Sequence, residues 1–205
     1  MLGDMSDAAW HTLATAVLAA CWGAVALVWI AGALYNARHG PRVRERSGLG
    51  QPWIIAAVAL WLILGHAAGI HWQSLSLSSD WLRLPGIVLL LAATAFALWA
   101  RVALGTMWSS SVVAKTGHTL RTDGPYAVTR HPIYTGLAGM LLGTALIDDL
   151  GRTAAVFVLG VAYLAVKARA EERLLSGIFP EYENYRRRVP RLIPMPARLA
   201  GLLRR

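Results

Sequence analysis

The sequence predicts an all-α integral membrane protein with five transmembrane helices, the last two forming a short helical hairpin beside a polar pocket on the cytoplasmic side. Three observations predict it. Hydrophobic residues make up 56% of the 205 and charged residues only 15%. The charge-free runs are longer than a soluble core needs, since about 20 apolar residues suffice to cross a bilayer. The cations are also sharply partitioned along the chain, as in polytopic proteins.

Residues 1–7 contain Asp4 and Asp7 but no Lys or Arg, unlike the basic start of a cleavable signal peptide. No residue from Ala8 to Ala37 is charged, which is ample for a first span. Arg38, Arg42, Arg44 and Arg46 follow, against the single acid Glu45. A second charge-free run extends from Ser47 to Ser79, with Pro52 suited to start a helix and the polar cluster from Gln73 to Asp80 to end it. The third, Leu84 to Ala100, is bounded by Arg83 and Arg101, whose long stems let the charges snorkel outward.

The fourth and fifth apolar runs, Ile133 to Ile147 and Thr153 to Val166, are shorter than a standard span. Asp148-Asp149-Leu150-Gly151-Arg152 separates them, which predicts a tight helical hairpin. If the fifth helix continues to Ile178, its second half must leave the hydrocarbon or line a hydrated cavity, because intramembrane charge is costly. The chain is expected to be one membrane domain: three helices over 1–104, a core rich in polar motifs over 105–194, and a basic tail over 195–205. The lone cysteine, Cys21, excludes a disulfide framework or a thiolate metal cluster within the chain and reads as a small core residue.

The net charge of +9 raises the question of nucleic acid, but the cations follow the membrane pattern instead. Four lie in the first loop, four between Arg101 and Pro132 and ten from Lys167 onward, against only Arg83 and Arg152 on the other side. This places the N-terminus outside and the C-terminus, with both polar motifs, in the cytoplasm. The arginines of the C-terminal region, including Arg186, Arg187, Arg188 and Arg191, are expected to meet anionic lipid headgroups. Trp10, Trp72 and Trp81 suit the outer interface, and Trp53 and Trp108 the inner one.

The chemistry-bearing residues fall in two stretches. The first, GHTLRTDGPYAVTRHPIYTG, runs from Gly117 to Gly136; the second runs from Lys167 to Glu172. Asp123-Gly124-Pro125-Tyr126 reads as a turn, and Arg130-His131-Pro132 as the start of the fourth helix, with Pro132 in its first turn. A helix N-terminus presents unpaired N–H groups and a partial positive charge, suited to a carboxylate or phosphate. Arg130 adds a cation there, and Tyr126 and Tyr134 offer aromatic faces to a flat heterocycle. On the fifth helix Lys167 and Glu171 share one face, and Arg169 and Glu172 another, a spacing that mutual salt bridges alone would also explain. No metal ligand set is apparent.

RHPIYTG at Arg130 to Gly136, the upstream GHTL and GPY, the Glu171-Glu172 pair, and FPEYENYRRRVPRLIP at Phe179 to Pro194 together resemble the isoprenylcysteine carboxyl methyltransferase family. The resemblance covers roughly Gly105 to Pro194, and the first three spans match only in being hydrophobic. These membrane enzymes use S-adenosylmethionine. The resemblance implies a cofactor pocket with His118, Thr119, Leu120 and Arg121 on one edge. Tyr126, Arg130, His131, Pro132, Ile133 and Tyr134 form another, and Glu171 binds from across the hairpin. Lys167 falls where eukaryotic members carry an arginine implicated in handling the substrate; lysine keeps the charge but loses the planar fork.

The residue types suit this cofactor independently: a carboxylate for the helix N-terminus, an ammonium and a sulfonium for Glu171 or Glu172, an adenine for a tyrosine face. Methyl transfer is an in-line displacement, promoted by alignment and exclusion of water. An acceptor carboxylate needs no base, whereas an amine or thiol does, and Glu172 or His131 are the candidates. The expected function is methyl transfer to a lipophilic acceptor entering from the bilayer, with Lys167 orienting it and membrane lipids as the surroundings. Two alternatives stay open. One is an NADPH-dependent reductase of sterol or isoprenoid double bonds, and the other a non-catalytic membrane interaction protein.

Overall fold

A computed structural model describes residues 7–40, 43–46, 80–108, 113–115, 120–148 and 150–194. The expected second span, His118, Thr119 and the tail from 195 onward lie outside these residues.

The first helix, α1, spans Asp7–His39, and its ends suit the helix dipole: Asp7 in the first turn, Arg38 and His39 in the last. Its buried residues are the small or slender Ala14, Cys21 and Val25, while Leu27, Ile30 and Leu34 stay exposed. That distribution fits a helix touching its neighbours along one narrow stripe and meeting lipid elsewhere. Cys21 lies in the core, as its composition-based reading expected. The second described helix, α2, spans Asp80–Leu104 and runs on through both bounding arginines. These two elements, α1 and the stretch Trp81–Met107, are long and apolar enough to cross a membrane.

The third helix, α3, spans Pro132–Ile147, with Pro132 at its start as expected. It packs on α2 through a seam of small residues. A Cβ at Gly136 would lie 2.6 Å from the Ala97 Cβ, and one at Gly143 would lie 2.8 Å from the Leu90 backbone nitrogen, so neither position has room for a side chain. Such seams are how membrane helices approach closely without a hydrophobic force between them. Trp22 of α1 donates its indole N–H to the Thr144 hydroxyl at 3.1 Å, fixing α1 to the same pair.

The fourth helix, α4, spans Leu150–Ile178, so Leu150, Gly151 and Arg152, expected in the hairpin turn, belong to the helix instead. It continues unbroken past the apolar run ending at Val166. After Phe179 the short helix α5, Tyr182–Arg188, folds back, and residues 189–194 pass across the start of α3. Tyr182, Tyr185 and Val189 form a buried cluster with Leu120, Leu175 and Phe179. The described non-helical pairing is a two-stranded antiparallel ribbon: β1, Val43–Arg46, joins β2, Val113–Lys115, with Val43 opposite Lys115 and Arg46 opposite Val113.

One residue departs from its sequence-based placement. Arg101 does not snorkel outward: it is 5% exposed, lies over the Trp108 ring at 4.2 Å and donates to the Gly105 carbonyl at 3.2 Å. The short 3₁₀ turn Gly105–Met107 folds Trp108 back onto it, and Trp108 also packs edge-on against Trp29.

Candidate active site

The polar site forms where three chain segments converge: the start of α3, the second half of α4, and the strap at 189–192. The strap is fixed by backbone pairing. Arg130 N–H donates to the Pro190 carbonyl at 2.9 Å and His131 N–H to the Arg191 carbonyl at 3.1 Å. The Thr129 hydroxyl also donates to Arg191 O, and the Thr135 hydroxyl to Leu192 O, each at 2.6 Å. Two N–H groups ahead of α3 are thereby satisfied, and Pro132 has none, which leaves Ile133 and Tyr134 in the first turn without an intrahelical acceptor.

Glu172 is the hub. Its Oε1 accepts from Arg130 Nε at 2.9 Å, from Arg191 Nε at 3.0 Å and lies 3.2 Å from His131 Nε2; Arg191 Nη2 reaches its Oε2 at 2.6 Å. Burial by itself would raise this carboxyl's pKa, but the hydrogen bonds from His131 and Arg191 and the charge of Arg130 hold it far below the usual range. Glu172 therefore has no spare basicity and does not pair with Arg169, as the ladder spacing allowed. Arg130 is equally committed, donating as well to the carbonyls of Arg186 and Val189 at the end of α5.

Glu171 is placed differently. The Tyr134 hydroxyl donates to its Oε1, His131 Nδ1 lies 3.4 Å from its Oε2, and its side chain keeps 23% exposure. No arginine engages it among the described residues. The His131 ring lies between the two glutamates and stacks parallel to the Tyr134 ring, 5.4 Å between centroids. Burial opposes protonation of His131, but hydrogen bonds to both glutamates and their charges outweigh it and raise its pKa. Lys167, buried, sets its ammonium 5.4 Å from the Tyr134 ring centroid. Glu171, His131, Tyr134 and Lys167 thus meet in one place, as the sequence predicts.

The remaining candidates take supporting positions. Gly124 at φ +55° makes the turn that Asp123-Gly124-Pro125-Tyr126 predicts, as a short 3₁₀ helix over Gly124–Ala127. Tyr126 is buried there, its carbonyl accepting from the Tyr185 hydroxyl at 2.6 Å. Burial, then the charge of Glu171, push the Tyr126 hydroxyl's pKa up. Pro132 and Ile133 are buried beneath the site. Leu120 packs on the Tyr182–Tyr185–Val189 cluster. Arg121 caps the end of α2, donating from Nε and Nη2 to the Ala103 carbonyl, and pairs with Asp123.

Sequence reasoning missed Arg191, which it assigned to lipid headgroups, and the Tyr182 hydroxyl. That hydroxyl is buried and without a hydrogen-bond partner among the described residues. The only signal for either was their place in the FPEYENYRRRVPRLIP stretch.

The chain is similar to several known proteins. The cobalt-zinc-cadmium resistance protein CzcN of Cupriavidus metallidurans is 33% identical over 93 residues, covering 44% of this chain and 43% of that protein. The nickel-cobalt-cadmium resistance protein NccN of Alcaligenes xylosoxydans xylosoxydans is 31% identical over 153 residues, 74% of this chain and 65% of its own. The protein-S-isoprenylcysteine O-methyltransferase of Schizosaccharomyces pombe is 34% identical over 102 residues, 47% of this chain and 42% of its own. The chain thus matches under two thirds of the length of each of these relatives. Residues 86–177, which carry most of α2, all of α3 and the paired glutamates of α4, match the isoprenylcysteine carboxyl methyltransferase (ICMT) family, and over this stretch the chain is similar to that family.

Proposed function

We propose that the chain is a multi-pass membrane methyltransferase that uses S-adenosylmethionine and acts on a lipophilic acceptor reaching the site from the bilayer. The observation that carries this is the unequal treatment of the paired glutamates. Glu172 is locked by two arginines and a histidine, whereas Glu171, one residue away, keeps a partly exposed carboxylate with no arginine on it among the described residues. A part-open carboxylate beside an aromatic ring and a helix N-terminus fits the three polar ends of the cofactor. Glu171 and Tyr134 would hold its cationic end, and the first turn of α3 its carboxylate. The cofactor supplies a methyl group activated by a sulfonium.

The chain's own residues then bind, orient and exclude water. In this reading Glu172 is a positioning residue, not a base: it holds His131 by its Nε2 and fastens the strap through Arg191. His131 has both ring nitrogens turned to carboxylates, Nε2 to Glu172 and Nδ1 to Glu171, which leaves it poorly placed to take a proton from an acceptor. An acceptor already anionic, such as a carboxylate, needs no base and would be drawn to the Lys167 ammonium. A reductase binding NADPH is not favoured, because the arginines that could take its 2′-phosphate, Arg121 and Arg130, are both engaged.

The test is methyl transfer by the purified protein to a panel of lipophilic carboxylates, thiols and amines. Carboxylates are expected to be methylated fastest, and Lys167→Met to lower turnover by about tenfold while leaving cofactor affinity within about twofold, since one charge-assisted contact is worth 1.5–3 kcal/mol. Equal loss of cofactor affinity would mean that Lys167 belongs to the cofactor's pocket. For topology, reporter fusions at Gly40 and after Arg205 should read cytoplasm, and those at Ser79 or Asp149 outside. A cytoplasmic signal at Asp149 would contradict the five-span arrangement.

A further inference from the structure

Next to the site, and sharing Glu172 and Arg191 with it, lies a second polar feature whose other arginines the proposed methyl transfer does not use. Arg169, Arg173, Ser176 and Glu172 on α4, with Arg186 of α5 and Arg191 of the strap, line a cleft of about 420 Å³. Arg169, Glu172, Arg173 and Ser176 recur at three- and four-residue steps, so they form one stripe. The charge there is unbalanced. Four guanidinium groups face one carboxylate, and both oxygens of Glu172 are already taken by Arg130, His131 and Arg191. Arg186 is paired with Glu183 at the rim, while Arg169 and Arg173 have no carboxylate partner among the described residues. Like charges gathered in a concave site favour an anion bound between them.

Depth along the helix points to which anion. The apolar run of α4 ends at Val166. At 1.5 Å per residue, Arg169 and Arg173 stand roughly 5 and 11 Å beyond it along the axis. The polar layer on each side of the hydrocarbon is about 5–8 Å thick, and helical side chains tilt back toward their N-terminus, here toward the bilayer. The two guanidinium groups therefore reach the level of lipid phosphates. We propose that this arginine cleft binds the phosphate of one anionic phospholipid headgroup, a defined site distinct from diffuse attraction of the basic C-terminal region to the membrane. Its occupant would bridge α4 to α5 and the strap, and so brace the Arg191 contact with Glu172.

The experiment reconstitutes the full chain in nanodiscs of phosphatidylcholine with a minority of phosphatidylglycerol, then counts retained lipids by native mass spectrometry after release into detergent. The wild type is expected to retain one phosphatidylglycerol in preference to phosphatidylcholine. Arg169→Gln/Arg173→Gln should weaken that retention about tenfold, and Arg173→Gln alone about threefold, on the usual strength of cation–headgroup attraction. Arg187→Gln/Arg188→Gln, which removes equal charge from exposed positions outside the cleft, should leave it unchanged. Equal loss in both double variants would overturn the proposal in favour of diffuse electrostatics. Displacement of phosphatidylglycerol by millimolar glycerol phosphate would overturn the lipid as occupant and assign the cleft to a soluble phosphate compound.

Discussion

Replacing Glu172 by alanine is expected to destabilise the protein by about 3 kcal/mol or more, because it strands cations that a single carboxylate now balances. Arg130 and His131 are nearly fully buried, their side chains 8% and 5% exposed, and would be left without their shared counter-charge. Arg191, at 36%, can turn to water, which keeps the loss toward the lower end of the range for broken buried pairs. The strap would loosen from α3 at the same time, since Arg191 supplies both a side-chain tie and a backbone acceptor. Thermal melting of the detergent-purified protein measures this directly. Glu172→Gln should lose less, since an amide still accepts hydrogen bonds.

The pH dependence separates this account from mere packing loss. The folded pKa of Glu172 is depressed, so its contribution is present above the ordinary carboxyl value of 4.5 and is lost as pH falls. The folded pKa of His131 is raised, so its contribution is complete below 6.5 and is lost as pH climbs through the raised value. Wild-type melting should therefore be highest between about pH 5 and 6.5. Glu172→Gln should flatten the acid limb, and an unchanged limb would mean that the carboxylate is not the hub.

The second large effect is expected at Glu171. Glu171→Gln should weaken S-adenosylmethionine binding by about 1.5–3 kcal/mol, roughly 10- to 150-fold, through loss of one charge-assisted contact. Its melting temperature should change little by comparison, because its carboxylate is partly exposed and engages no arginine among the described residues. Opposite outcomes at adjacent residues, stability at Glu172 and ligand affinity at Glu171, are what their different surroundings require. A variant that folds and binds the cofactor as well as wild type would show that Glu171 belongs to the scaffold.

Much of the site was legible because its signals are local. Pro132 marks a helix start by its missing N–H and fixed φ, and Gly124 marks a turn by its positive φ. The four-residue step from Lys167 to Glu171 put both on one face of α4, where Tyr134 meets them. What was not legible depends on partners distant in the chain. Residues 130–131 pair with 190–191 by backbone alone, which leaves no side-chain pattern to read. Arg191 ends a basic run that reads as lipid-facing, yet it turns inward because Glu172 awaits it. Arg101 looks like any arginine at the end of a span until a 3₁₀ turn brings Trp108 over it.

The most direct measurement is calorimetric titration of the purified full-length protein with S-adenosylmethionine, its demethylated product and NADPH. The predicted result is one saturable site for the first two ligands, weakened in Glu171→Gln, retained in Lys167→Met, and no binding of NADPH. Saturable NADPH binding without S-adenosylmethionine binding, or no binding of any of the three by a folded protein, would contradict a methyl-donor site between α3 and α4.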